Sequence, residues 1–350
     1  MLDSLYIKNF RLFKELTIEQ LGRVNLIVGR NNTGKSCLLE AIQIYASNAS
    51  DSVLNEIFER REENIEPLSE ADIEGHYFSP LINLFYNYSF PMPETDEDIM
   101  VIGSYKQLQN RLTTRHGVGD NDDGIGTSWT EFLKNGKLIK LFDERDWYLH
   151  PHYPKSKEKL KTQVVRFVPT HYIDKVKVSA LWNTINLTDK QPIIVKGLQV
   201  IEPKIQNIAL TVSNNPIPIV RLSGYSEPRP LKSMGDGLAR AFHLMLTLVN
   251  ARGGFLLIDE FENGLHYTVQ PKVWELIFKF APKLNIQVFV TTHSCDSVTA
   301  FVETTQKNET EAMLFHLGRS ALRSDNNKVI ATAYDKEELE LVTFANLEVR

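Results

Sequence analysis

Cysteine is scarce in this chain. Only Cys37 and Cys295 occur in 350 residues, so a disulfide scaffold is excluded and a reducing compartment is expected. Long apolar runs are missing as well. The stretch Ala241–Val249 is far short of the ~20 residues that cross a bilayer, and it carries His243. Met1–Glu15 contains no apolar core of the kind that directs secretion, so a cytoplasmic protein with no membrane association is expected. Charge of one sign is not in excess: 39 Lys and Arg face 44 Asp and Glu, for a net charge of −5, which gives no global affinity for nucleic acid. Sustained heptads are lacking, which excludes a long coiled-coil arm, and no internal repeat is found. What remains is a chain with 42% hydrophobic residues, enough for a full core. Its length suits one large domain with an insertion, or two domains.

Four short segments stand out against this background. The first is Gly29-Arg30-Asn31-Asn32-Thr33-Gly34-Lys35-Ser36, which fits G-x-x-x-x-G-K-[ST]. Val24–Val28 before it reads as a buried strand, and Ser36–Ile42 opens an apolar helix. Glycines let successive backbone N–H groups turn toward phosphate oxygens, and the helix N-terminus adds its positive dipole end. Gly29, Asn31, Asn32, Thr33, Gly34, Lys35, Ser36 and Cys37 are therefore candidate nucleotide contacts. Lys35 is placed at the β- and γ-phosphates, and Ser36 is a candidate Mg²⁺ ligand. Both cysteines adjoin such motifs, where a disulfide would interfere.

The second segment, Leu256-Leu257-Ile258-Asp259-Glu260, is a buried strand ending in two carboxylates. Asp259 suits a metal or its waters, and Glu260 suits a general base for the attacking water. A solvated acidic turn that also contains Glu262 is the competing reading. The third, Ser233-Met234-Gly235-Asp236-Gly237, precedes a long apolar helix and exposes backbone donors that suit an anion. A plain helix cap accounts for the same residues. The fourth places His293 at the exit of the β-branched strand Val288–Thr292, where it can meet a γ-phosphate or a water.

Together these residues resemble the ABC-type ATPases of the RecF/SMC/OLD group. The likeness extends to the compact AAA-type members related to OLD ATPases and to the AriA subunit of PARIS phage-defence systems. Leu5–Phe13 resembles their first strand, which makes Arg11 a further nucleotide contact. Asn31-Asn32 matches their loop, and Ser233–Gly237 stands where ABC proteins carry the signature sequence. Leu257–His266 resembles their Walker B and D-loop, and Thr292-His293-Ser294 their switch histidine. The resemblance covers about residues 1–50 and 165–320. It implies an α/β P-loop NTPase of ABC/RecF type with a mixed central β-sheet. It also implies two subunits that sandwich ATP, with Ser233, Gly235 and Gly237 completing the partner's site and Asn263–His266 coupling the two. The signature departs from Leu-Ser-Gly-Gly-Gln. Leu222-Ser223-Gly224 is closer in letters, but Pro228 and Pro230 follow it. The family's Q-loop glutamine has only Gln163 as a weak candidate.

The ATPase domain is expected over 1–50 and 164–350, with an α-rich insertion over 51–163. Gly117–Gly126 reads as a loop; its Asp120, Asp122 and Glu131 have calcium-loop spacing, but Ile125 stands where glycine is needed. Lys134–Arg166 is locally basic and interleaved with aromatics, which suits nucleic acid, a protein partner or plain solvation alike. Asp96-Glu97-Asp98 precedes its apolar run, unlike a TOPRIM nuclease pair. About 57 residues follow His293, too few for an appended nuclease domain of normal size, so an effector nuclease or toxin is expected as a separate chain. The resulting expectation is a homodimeric or larger ATP hydrolase using ATP and Mg²⁺. Asn-Lys-x-Asp is absent, which favours ATP over GTP. By resemblance its role is regulatory, in phage defence. Two rivals are a RecF-like DNA-repair factor using Lys155, Lys157, Lys159 and Lys161, and a slow ATP-gated scaffold. An intact Glu260 speaks mildly against the scaffold.

Overall fold

The computed structural model describes residues 1–63, 80–90, 100–120, 126–143, 162–170, 173–213, 215–322, 325 and 327–341. The chain opens with a hairpin, β1 (Leu5–Phe10) and β2 (Phe13–Ile18), followed by β3 (Val24–Val28), α1 (Lys35–Ala46) and α2 (Asp51–Arg60). Strands β4 (Met100–Gly103), β5 (Arg111–Asp120), β6 (Gly126–Lys134) and β7 (Lys137–Asp143) come next. Then follow β8 (Val165–Val168), α3 (Lys175–Asn183), α4 (Gln191–Ile201), β9 (Ile205–Leu210), β10 (Pro218–Leu222), β11 (Arg229–Pro230) and α5 (Asp236–Asn250). The last third holds β12 (Phe255–Ile258), α6 (Gln270–Lys283), β13 (Gln287–Thr291), α7 (Cys295–Gln306), β14 (Ala312–Arg319), β15 (Val329–Tyr334) and α8 (Lys336–Leu341).

The central sheet has the order β15-β14-β3-β13-β12-β8, parallel throughout except for β15 at one edge. Its middle strands are apolar on both faces because both faces are covered. Val24, Leu26, Leu256, Ile258, Val288 and Val290 enter one core with α5, α6 and α7. The intervening Ile27, Phe255, Leu257 and Phe289 enter a second core with α1 and the β1–β2 hairpin. Alternation at period two thus sends successive side chains into different cores. Asn25 is the polar exception on β3. It is fully buried and satisfied, accepting from Gly22 N and donating to the carbonyls of Gly22 and Val288. Parallel strands bring all their C-terminal ends to one edge, and the loops after β3, β12 and β13 meet there.

Residues 51–163 differ from the helical insertion expected of them. Among the described residues this stretch holds one α-helix, α2, two short 3-10 turns at 80–84 and 86–88, and four strands. β4 pairs with β1, so these strands extend the N-terminal hairpin into a six-stranded antiparallel sheet, β2-β1-β4-β5-β6-β7. The β6–β7 hairpin has a local cause. Asn135 and Gly136 both take positive φ, 54° and 72°, the two-residue turn that matches strand twist. Gly117–Asp120 and Gly126 lie in paired strands, not in a loop. Residues 121–125, with Asp122 and Ile125 of the calcium-like loop, are outside the described set, and so are Asp96–Asp98, while Asp120 and Glu131 lie in β5 and β6. Among the described residues no cluster of three or more His, Cys, Asp or Glu could hold a metal. After His293, α7 leads to β14 and β15, and α8 follows them.

Candidate nucleotide site

The phosphate loop is held open by two glycines. Gly29 has φ 146°, and a Cβ there would sit 2.3 Å from the Leu317 carbonyl of β14. Gly34 has φ 93°, and its Cβ would sit 2.7 Å from the Phe13 ring of β2. No L side chain fits either position, so the chain can pass tightly between β14 and β2. Asn32 also takes a left-handed conformation, at φ 61°, and its carbonyl accepts from Arg319. Thr33 ties the loop by donating to the Arg30 carbonyl at 2.8 Å, while Asn31 is exposed. Lys35 begins α1 and donates to the carbonyls of Gly29 at 2.6 Å and Arg30 at 2.9 Å. Burial lowers its pKa, and Asp259, Glu260 and Glu262 pull the other way. All three carboxylates therefore project their field onto one ammonium.

The acidic edge is assembled by β13. Ser36 Oγ donates to Asp259, 3.0 Å from Oδ2 and 3.2 Å from Oδ1. Thr291 Oγ1 donates to Asp259 Oδ1 at 2.6 Å and accepts from Glu260 N at 2.9 Å. Glu260 sits at φ 47°, a strained setting for a non-glycine residue. The Thr291 hydroxyl and the next residue over-determine it. Phe261 is fully buried and stacks on Trp274 of α6, with ring centroids 4.4 Å apart. Asn263 Nδ2 reaches 3.5 Å from Glu260 Oε2. Glu262 is not a solvated acid: it accepts from Thr292 Oγ1 at 2.6 Å and from His293 N at 3.0 Å. Sequence reading missed Thr291 and Glu262 as site residues. The Thr-Thr-His run after a buried strand was the available signal.

The remaining candidates fall in three places. Arg11 is buried and forms ion pairs with Glu40 Oε2 at 2.7 Å and Glu63 Oε1 at 2.7 Å. Cys37 is buried on α1 beside Arg61, whose guanidinium lies 3.5 Å from Sγ; burial raises its pKa. Arg11, Cys37 and Asn32 share the lining of a cavity of about 1260 Å³ with Lys8, Tyr86 and Arg319. The signature segment lies elsewhere. Ser233 Oγ donates to the Pro230 carbonyl, and Gly235, at φ 108°, precedes α5. Gly237 faces the Gly264 carbonyl, where a Cβ would come to 3.8 Å, so the segment borders the Asn263–His266 turn. Gln163 is exposed before β8, and its N–H donates to the Ala46 carbonyl at the far end of α1. That is the edge of the sheet opposite the phosphate loop, so Gln163 does not serve the site.

The family model of an AAA ATPase domain matches residues 1–215 of the 350. This chain belongs to the AAA ATPase domain family. A second AAA domain model, described for AbiEii toxins of type IV toxin–antitoxin systems, matches residues 194–299 of this AAA-type ATPase. A protein of Helicobacter pylori named ATP/GTP phosphatase is 26% identical over 372 aligned residues, covering 97% of each chain. A Methanocaldococcus jannaschii protein is 47% identical over 47 residues, 13% of this chain and 22% of that protein. An Smc head bound to the C-winged helix domain of ScpA superposes with a TM-score of 0.52 at 12% identity, covering 97% of this chain and 99% of that one. The fold is thus that of an ABC/SMC-like P-loop ATPase, and the enzyme is an ATP hydrolase. Among the described residues no helix is long and apolar enough to cross a membrane.

Proposed function

We propose that this chain is a Mg²⁺-dependent ATPase that closes around nucleotide as a dimer and acts as a regulatory subunit on a separate effector. One observation carries the metal and the chemistry. The Ser36 hydroxyl and the Asp259 carboxylate come from different elements and meet at 3.0 Å, with Thr291 fixing the carboxylate from behind. A hydroxyl beside a carboxylate at the end of a phosphate loop is the donor set that suits Mg²⁺. Bound there, the ion would neutralise charge on the phosphate oxygens. The backbone N–H groups of 30–35 and the Lys35 ammonium hold the phosphates. Glu260 takes the proton of the attacking water, and His293 reads the γ-phosphate. Arg11 and Cys37 border the nucleotide from the side of the cavity.

Dimer closure is supported by where Ser233, Gly235 and Gly237 stand. They lead into α5, and Gly237 stands beside Gly264 of the Asn263–His266 turn, so a partner's nucleotide docked there would touch both segments. A role in phage defence is drawn from the resemblance to OLD-type ATPases, while the second family model names AbiEii-type toxin–antitoxin domains. The rival DNA-binding role draws little from the described part of Lys134–Arg166. Lys134 lies over the Tyr45 ring, Lys140 is buried and paired with Asp51, and Arg166 is half-buried. Residues 144–161, with Lys155, Lys157, Lys159 and Lys161, are outside the described set. The name of the Helicobacter pylori relative includes GTP, so GTP is a second substrate to test beside ATP.

Light scattering with and without Mg-ATP tests the proposal. Glu260→Gln is expected to double in mass with ATP and stay doubled, while the wild type does so transiently. A monomer under every condition would refute dimer closure. An assembly indifferent to nucleotide would favour the scaffold reading.

A further inference from the structure

His293 is half exposed, yet its ring is fixed. Its Nδ1 lies 3.1 Å from Glu262 Oε1, and the same oxygen accepts from His293 N at 3.0 Å. The other Glu262 oxygen accepts from Thr292 Oγ1 at 2.6 Å, and Thr292 Oγ1 in turn accepts from Ser294 N at 3.1 Å. The Glu262 side chain is only 15% exposed, against 47% for His293. Phe261, fully buried against Trp274, anchors the turn that carries Glu262. An exposed imidazole would otherwise sample several rotamers. Here a carboxylate tied by two donors, Thr292 Oγ1 and His293 N, stands 3.1 Å from the ring and limits its rotamers.

A lone pair on Nδ1 would face a carboxylate oxygen 3.1 Å away, so this proximity favours the Nδ1–H form of the ring. A neutral His293 then carries its lone pair on Nε2, the nitrogen facing away from Glu262. We propose that Glu262 is a positioning residue for ATP hydrolysis: it fixes the ring and tautomer of His293 so that Nε2 accepts a hydrogen bond from the attacking water. The proposal rests on the reading that His293 serves the γ-phosphate end of the site. In this arrangement neutral His293 reads the γ-phosphate through the water held against it, not by donating to a phosphate oxygen. It orients the water, while Glu260 removes its proton. Orienting partners of this kind act through the group they hold, and their loss lowers activity by roughly 10- to 100-fold where they have been measured on metal-bound histidines.

The test combines kinetics with ¹⁵N spectroscopy of the full chain. Glu262→Gln gives Nδ1 an amide donor and so releases the other tautomer. Its kcat is expected to fall roughly 10- to 100-fold with KM unchanged within about twofold, and Glu262→Asp is expected to recover part of the loss. In a His293→Ala background the same Glu262→Gln change is expected to cost nothing further, because the two residues act as one unit. Two-bond ¹⁵N–¹H correlations, with His293 assigned by its loss in His293→Ala, are expected to show the Nδ1–H form in the wild type and its loss in Glu262→Gln. Equal losses from Glu262→Gln with and without His293 would overturn the proposal. So would an Nε2–H tautomer in the wild type, whether or not the variants fold. A His293→Ala protein with full turnover would instead overturn the underlying reading of His293, and with it the water-orienting role.

Discussion

Two sheets of this ATPase solve different problems with the same strand chemistry. The parallel sheet gathers its functional groups at one edge from loops that are each continuous in sequence. Gly29–Ser36, Asp259–Glu262 and Thr291–Ser294 follow β3, β12 and β13, and only the register of those strands is needed to bring them together. The antiparallel sheet is held by pairs far apart in the chain. Arg11 after β1 meets Glu40 of α1 and Glu63 beyond α2, and Arg61 meets the same Glu40 at 2.8 Å. The first sheet spends its polar groups on chemistry, with hydroxyls holding acids in place. The second spends them on keeping the hairpin, the phosphate-loop helix and α2 in one arrangement. Glu40 sits one turn along α1 from Ser36, so the second network also steadies the first.

This contrast can be broken at either end. The largest effect is expected at the catalytic edge. Glu260→Gln should lower kcat by roughly 10²–10⁴ with nucleotide binding retained, as read by phosphate release and by equilibrium binding. At the other sheet, Glu40→Ala removes the carboxylate shared by Arg11 and Arg61 while Glu63 and the Asn83 carbonyl still hold Arg11. It should cost about 1–3 kcal/mol of stability, seen as a lower midpoint in urea denaturation, with turnover falling only as the folded fraction falls. Thr291→Val keeps the shape but removes the hydroxyl between Asp259 and Glu260 N. The stranded groups should cost about 1–3 kcal/mol, and turnover should fall more than the Tm shift accounts for.

The smallest effect concerns pH. Burial pushes the Lys134 ammonium of β6 down to about 8, and the face of Tyr45, 3.6 Å away, opposes that shift. The unfolded chain holds this proton up to an ordinary lysine pKa of about 10.4. Between about pH 8 and that value the unfolded state binds more protons, so this group makes stability rise with pH. Below about 8 both states are protonated and the slope vanishes. Lys134→Met should flatten the wild-type slope in that window, measured as the difference between the two denaturation profiles. An unchanged profile would mean that Lys134 keeps its proton through the cation–π contact.

The cluster of candidate site residues was legible in the sequence because each of its segments is local. A glycine with a left-handed φ, a lysine one residue after it and a carboxylate at a strand end all lie within short segments. Thr291 and Glu262 were harder to read, since their role appears only when β12 and β13 are laid side by side. The antiparallel sheet was misread as helical for the same reason. β4 finds its partner β1 across about ninety residues, and no local period announces that pairing. The Asn135-Gly136 turn was the one local sign, and it sits between Leu133 and Leu138, an ordinary hairpin pattern. Arg11, a nucleotide contact by resemblance, has its guanidinium engaged by Glu40, Glu63 and the Asn83 carbonyl while it lines the cavity with Asn32.

The most direct test of the catalytic edge is a single-turnover experiment with γ-labelled ATP and excess protein, comparing wild type with Glu260→Gln. Cleavage of bound ATP by the wild type, with tight binding and almost no cleavage by the variant, is the expected result. Equal cleavage by both would contradict the account and move the catalytic base away from the end of β12.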